Sequence, residues 1–455
     1  MSDNDKQLYV VHAVDTEGPL YQSPKATALR LNELYDLGID TSADYRALGR
    51  VIAAYARGQT PAGGREDEIA HFLSTTEFLS DKAAYAAAVQ EATSQDFRHQ
   101  HADPQGGPYR WSWFVLDNVG TLINPRRRLF GYGQVYVNLR EAFTNRDSLE
   151  LDGFYWHYHQ IRKDDHPFIK ETNFHACDEY NQILCRYIIE HRHFPAAYRA
   201  GYCLERWDAN LWLENWLPFD FSNHAPSFDY DQDQRVRDEV DFWLRAPNDW
   251  SHYHPDGHDL ERPGNLRRTM FRSLCYKTRL YTLTEEDVRQ AFVRADSGRP
   301  TVLSAFSHDF RRLAPEAEGY HRLVKKVAAE FPGVRWQNAT AVAAARAVLG
   351  RQPDGGLQLR LWYQDGQVKA ESSRPVFGSE PFLALMTDDY RFFHQNFVRL
   401  GQTRWAYHLR HPGMIKFIGI GANDPAGFSD TALLVRDGQN FLPVTDTGYW
   451  AGSPE

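Results

Sequence analysis

The chain has 455 residues, a formal net charge of −9, 42% hydrophobic residues and 24% charged ones, which allows two or three globular domains and a large core. The acidic balance speaks against nucleic acid or an anionic membrane surface as a partner, and no apolar run approaches the ~20 residues that span a bilayer. The polar start, MSDNDKQLYVV, lacks a charged stretch followed by an apolar one, and Cys177, Cys185, Cys203 and Cys275 form no CxxC pair, so a cytoplasmic protein with reduced thiols is expected.

Leu8 to Val14 is a short apolar run that reads as a buried parallel strand. DTEG follows, with Asp15 and Glu17 just past the strand end, where α/β folds carry their chemistry; an acidic turn or a helix cap is the plainer alternative. Residues 20–105 turn to helical periodicity, with Ser42 and Asp81 as N-caps and Gly58, Pro61, Gly63 and Gly64 marking a loop. This is a helical insertion, expected as a lid or side wall. Trp111 to Leu116 is the second strand, ending at Asp117 and Asn118, and residues 131–143 form the helix after it.

Leu151 to Arg162 reads LDGFYWHYHQIR. Residues at i and i+2 of a strand share a face, so His157 and His159 are placed to share a metal ion. A helix over 173–191 leads to FPAAYRAGYC, a strand carrying Arg199 and Gly201 near its exit. Asp208 caps a helix that runs to Leu217, and PFDFSNHA is another short strand. Residues 225–283 read as irregular. Within them, 248–264 has the makings of a functional loop, with Trp250 and His254 as substrate contacts. His224, His252, His254 and His258 invite a second metal, but Pro255, Asp256 and Gly257 argue for a loop rather than a strand. Residues 282–295 open on a capping-box pattern and form a helix. PTVLSAFSHDF is the last strand of the series, ending at His308 and Asp309, and a helix, a strand and a helix follow to about residue 350.

This alternation predicts an α/β fold, a parallel barrel or wound sheet, with five polar strand ends meeting at one rim around one metal. From 355 to 455 the pattern changes to short alternating strands, beginning with a hairpin at Asp365-Gly366. That part is expected as a separate antiparallel β domain, a small sandwich.

These strand ends, in this order, resemble the polysaccharide deacetylase (NodB-homology) superfamily over roughly residues 8–350. The resemblance implies a distorted (β/α) barrel, a divalent metal held by an Asp and two His, and hydrolysis of N-acetyl groups on sugars. AVDTEG is similar to the first motif, an acidic pair of one base and one ligand. The division of labour is open there, with Asp15 favoured as the ligand and Glu17 as the base. WHYH is similar to the second motif, which makes His157 and His159 the other ligands. YRAGY resembles the third, whose Arg orients the catalytic carboxylate; this falls on Arg199, with Asp208 facing the same groove. SAFSHDF resembles the last, whose His protonates the leaving amine; this falls on His308, with Asp309 as its orienting partner.

The implied reaction is removal of an N-acyl group from an amino sugar or sugar-like amine, with zinc the best match to the ligands and Co, Ni, Mn or Fe also fitting. The rivals are another C–N or glycosidic hydrolase on the same barrel, using paired carboxylates, and a non-catalytic carbohydrate-binding protein. Oligomeric state is left open.

Overall fold

The computed structural model describes residues 6–20, 23–74, 78–117, 132–143, 146–159, 176–201, 205, 207–227, 243–276, 283–351 and 355–445. Asn118, residues 160–162, Tyr202 and Cys203, read above as strand exits, lie outside them.

Strand β1 (Gln7–Thr16) is buried along almost its whole length, as a strand covered on both faces must be. One edge pairs in parallel with β7 (Thr301–His308). The other edge is shared: β8 (Arg335–Asn338) takes residues 7–10 and β2 (Trp111–Leu116) takes 12–16. From β2 the parallel ladder continues through β3 (Gly153–Tyr158), β4 (Ala197–Ala200), β5 (Phe219–Asn223) and β6 (Thr269–Cys275) to β7. Seven parallel strands therefore close into a barrel, with β8 alongside the start of β1.

Side-chain alternation sorts the strands into an inside and an outside. Val11, Ala13, Phe114, Tyr155, Phe221, Phe271 and Phe306 fill the interior. Leu8, Val10, Leu274, Leu303 and Ala305 point outward, under helices α10 (Glu285–Asp296) and α11 (Leu313–Ala328). Trp111, Trp113, Trp156 and Tyr158 do the same on the other side, under α4 (Lys82–Thr93), α6 (Val135–Ala142) and α8 (Ala176–His191). At the N-terminal end, α12 (Ala341–Val348) closes the barrel. Ala341, Val342, Ala344 and Ala345 join the interior cluster, and the Ala341 and Val342 N–H groups donate to Ser112 Oγ (2.9 Å) and Tyr155 OH (3.3 Å).

Three expectations change. A strand, β6, lies in the stretch read as irregular. Its apolar run is broken by Arg272, a buried residue that points out of the barrel, donates to the Ala225 carbonyl and pairs with Asp287. Asp44, not Ser42, caps α2 (Tyr45–Ala56), because its carboxylate accepts from Arg46 and Ala47 N–H while the Ser42 hydroxyl turns back to Asp40. Asp208 stands inside the first turn of α9 (Trp207–Leu213) rather than at its cap.

The insertion between β1 and β2 contains α1 (Pro24–Tyr35), α2, α3 (Glu66–Ser74), α4 and α5 (Gln95–Gln100). The first three share a small core of Leu31, Tyr35, Tyr55, Ile69 and Phe72, while Tyr85 and Val89 of α4 and Phe97 of α5 pack on the barrel. Beyond residue 355 the chain forms two antiparallel sheets, one of four strands and one of five. They pack face to face through Leu359, Leu361, Val368, Leu383, Leu385, Trp405, Ile418 and Ile420. Asp365 and Gly366 join β9 (Leu359–Gln364) to β10 (Gln367–Ser372) with φ of 51° and 74°, the left-handed pair that a two-residue hairpin requires. The outer face of the five-stranded sheet, with Phe382, Ala384, Met386 and Phe417, lies on Ile188 and Ile189 of α8. No described helix is long and apolar enough to cross a membrane.

Candidate metal centre

β3 carries His157 inward at the C-terminal mouth, and His159 follows two residues on with the same facing. His157 Nδ1 lies 2.9 Å from the Arg199 carbonyl. A carbonyl only accepts, so Nδ1 carries the proton and Nε2 keeps its lone pair for a ligand. Burial lowers the His157 pKa, more than Asp15 and Glu17 raise it, which favours the neutral, metal-binding imidazole. His159 Nε2 lies 3.1 Å from His157 Nε2. Glu17 Oε1 stands 3.2 Å from His159 Nε2 and 4.0 Å from His157 Nε2. Ligands bonded at ~2.0–2.2 Å around a tetrahedral ion are about 3.3 Å apart. Glu17, His157 and His159 are all buried and converge closely enough to hold one ion. Gly201 makes room for this: a Cβ there would meet His159 Cδ2 at 2.2 Å.

Asp15 is differently engaged. It is the last inward rung of β1, level with His308 on β7. Its Oδ1 accepts from Arg199 Nε at 2.6 Å, and its Oδ2 lies 3.9 Å from His308 Nε2. Arg199 is itself fixed by a bond to the Phe221 carbonyl (2.8 Å) and by stacking 3.5 Å over the Phe306 ring. The expected placing of Asp15 with the histidines therefore changes: Glu17 is the carboxylate that groups with His157 and His159. Glu17, past the end of β1, reaches across the mouth to the histidines, while Asp15 is held between Arg199 and His308.

Asp309 does not orient His308. Strand parity turns it to the other side, where Oδ1 accepts from Glu17 N–H (2.7 Å) and Gly18 N–H (3.1 Å), and Oδ2 accepts from Tyr85 OH (2.9 Å). Burial raises its pKa to about 7. The His308 side chain packs against Phe310 and remains 19% exposed, more than Asp15, His157, His159 or Glu17.

Among the expected substrate contacts, Asp208 lies after β4, buried, with Oδ1 on the Ala209 N–H. Trp250 is a core residue: its Nε1 donates to the Asp287 carbonyl at 2.8 Å, and it packs with Leu274, Val288 and Phe292 outside the barrel. His254 sits at the wrong end. Its Nδ1 bonds the Arg268 carbonyl, just before β6 begins, and its neighbour Tyr253 bridges to Met270. The part of the loop that holds His254 lines the start of β6, not its exit. His224, which follows β5 on the rim, bonds the Ser273 carbonyl through Nδ1, and burial lowers its pKa to about 4. Tyr85 was missed altogether, because nothing local marks a helical tyrosine as a neighbour of Glu17.

Fold and site together define a seven-stranded parallel (β/α) barrel with a candidate Glu/His/His centre at its C-terminal mouth. No family model, curated protein or solved structure matches the chain.

Proposed function

We propose that the protein is a metal-dependent hydrolase that removes an N-acyl group, in the simplest case N-acetyl, from an amino sugar or sugar-like amine, as a divergent member of the polysaccharide deacetylase superfamily. The observation that carries this reading is the placing of Asp15. It stands beside the Glu17–His157–His159 group, gripped by Arg199 and facing His308. A divalent cation held by those three residues, zinc being the ion such a set suits best, would polarise an acyl oxygen and make water more acidic. The chain supplies the proton transfers. Asp15, oriented by Arg199, accepts the proton of the attacking water. His308 delivers a proton to the departing nitrogen, which is a poor leaving group until protonated. Water and amide are consumed, and acid and amine are formed.

The test is elemental analysis of the wild type beside a His157→Ala/His159→Ala double variant, followed by an acetate-release assay on N-acetylated sugars and sugar nucleotides. About one divalent ion per chain, lost in the double variant, together with metal-dependent acetate release, is expected. A wild type that binds no ion even after reconstitution would point instead to a metal-free hydrolase or a binding protein.

A further inference from the structure

The helical insertion is tied to the rim by its backbone. Leu20 N–H donates to the Leu79 carbonyl at 2.9 Å, and Leu79 N–H donates to the Phe310 carbonyl at 2.7 Å. The loop entering α4 is thereby stitched to the segments that follow β1 and β7, which carry Glu17 and Asp309. Asp81 then caps α4 by accepting from Ala84 N–H at 2.8 Å. That fixes the helix start, and the next residue, Tyr85, is almost wholly buried with its hydroxyl on Asp309 Oδ2. The other oxygen of Asp309 accepts from Glu17 N–H, and Gly18 N–H is shared between both oxygens.

We propose that Tyr85, acting through Asp309, is a positioning residue for Glu17, so that the insertion sets the affinity and geometry of the metal centre. This rests on the reading of Glu17, His157 and His159 as ligands. The argument is geometric. Glu17 lies just past the end of β1, and Asp309 accepts from its backbone N–H at 2.7 Å. Gly18 N–H bridges both oxygens of Asp309, so the rotation of the carboxylate decides where the acceptor for Glu17 N–H sits, and Tyr85 OH fixes that rotation through Oδ2. Partners of this kind, one bond removed from the ion, commonly change metal affinity by 10–100-fold when removed.

The experiment is a cobalt(II) titration of the full chain, reading the dissociation constant and the visible ligand-field bands, with the His157→Ala/His159→Ala protein as the blank. Tyr85→Phe is expected to raise the dissociation constant about tenfold and to shift the bands. Asp309→Ala should do more. Asp309→Asn, which keeps an acceptor for Glu17 N–H and an amide for Tyr85, should recover most of the loss. Should Asp309→Ala fail to fold, Tyr85→Phe decides. A Tyr85→Phe protein with the affinity and bands of the wild type would overturn the role of Tyr85 while leaving the centre standing. A wild type that takes up no cobalt would overturn the centre itself, and this role with it.

Discussion

Arg199 on β4 reaches over the barrel interior to Asp15 on β1, donating from Nε to Oδ1 across 2.6 Å between strands that are not neighbours. The bond holds Asp15 on Arg199, while Glu17 lies beside His159. Asp15→Asn and Arg199→Ala are each expected to lower turnover by about 10²–10⁴-fold, the usual contribution of a positioned base, with the metal retained. Glu17→Gln should lose the metal. Metal content and initial rates of the three purified variants check this. Metal lost from Asp15→Asn and kept by Glu17→Gln would restore the opposite assignment.

His308→Ala should keep its metal and lose turnover on an amide by about 10²–10⁴-fold. An ester of the same acyl group has a leaving oxygen that needs little help from an acid, so the loss there should be much smaller. Rates on a matched amide and ester give the comparison, and equal losses on both would remove His308 from the role of acid.

Stability should fall on the acid side of neutrality. Burial lowers the pKa of His12 and His193 to about 3, and of His191, His224 and His321 to about 4. Unfolded, each returns to about 6.5. Below that value the unfolded chain takes up protons that the native chain refuses, so stability present above about pH 6.5 is lost as pH falls toward 4. Glu205 acts in the opposite sense. Burial raises it to about 8 against the opposing pull of Arg268, so its contribution is present below about pH 4.5 and lost as pH rises through 8. Asp309, raised by burial to about 7, and Asp152, also raised by burial, act in the same sense as Glu205. These three carboxyls oppose five imidazoles, and the imidazoles dominate between about pH 5 and 6, each worth up to ~1.4 kcal/mol per pH unit. Denaturant unfolding from about pH 5 to about pH 7 should show stability rising; a flat or falling profile would refute this account.

Arg98 and Asp152 form a two-pronged buried ion pair, with both N···O distances 2.8 Å. Asp152 also accepts from the Trp111 N–H and the Trp113 indole, and it immediately precedes β3. Burial raises the Asp152 pKa despite Arg98. Arg98→Ala strands this carboxyl and should cost about 3–5 kcal/mol of unfolding free energy. Replacing both partners with apolar residues should cost less, a difference that denaturant titration resolves.

The histidine pair was legible because strand parity is a property of sequence, and so was the order of polar strand exits. The division between Asp15 and Glu17 was not. It depends on β1 running on to Thr16, which makes Asp15 a rung of the ladder and leaves Glu17 to bend over the mouth. β6 stayed hidden because Arg272 finds its partners, Ala225 and Asp287, far from it in the chain. Trp250 and His254 looked like groups for a ligand, but an indole bonded to a helix carbonyl and a loop beside a strand's start are tertiary facts. Tyr85 and Asp309 meet only because three backbone segments are stitched together around them.

Since α12 stoppers the N-terminal end of the barrel and phenylalanine rings fill its middle, the centre lies in a cul-de-sac. Whatever arrives over the rim must back out the same way. Among the described residues that is two-way traffic through one doorway, so under the proposed reaction a lingering product would bar the next arrival, and the pace of departure would belong to the cycle as much as the chemistry does.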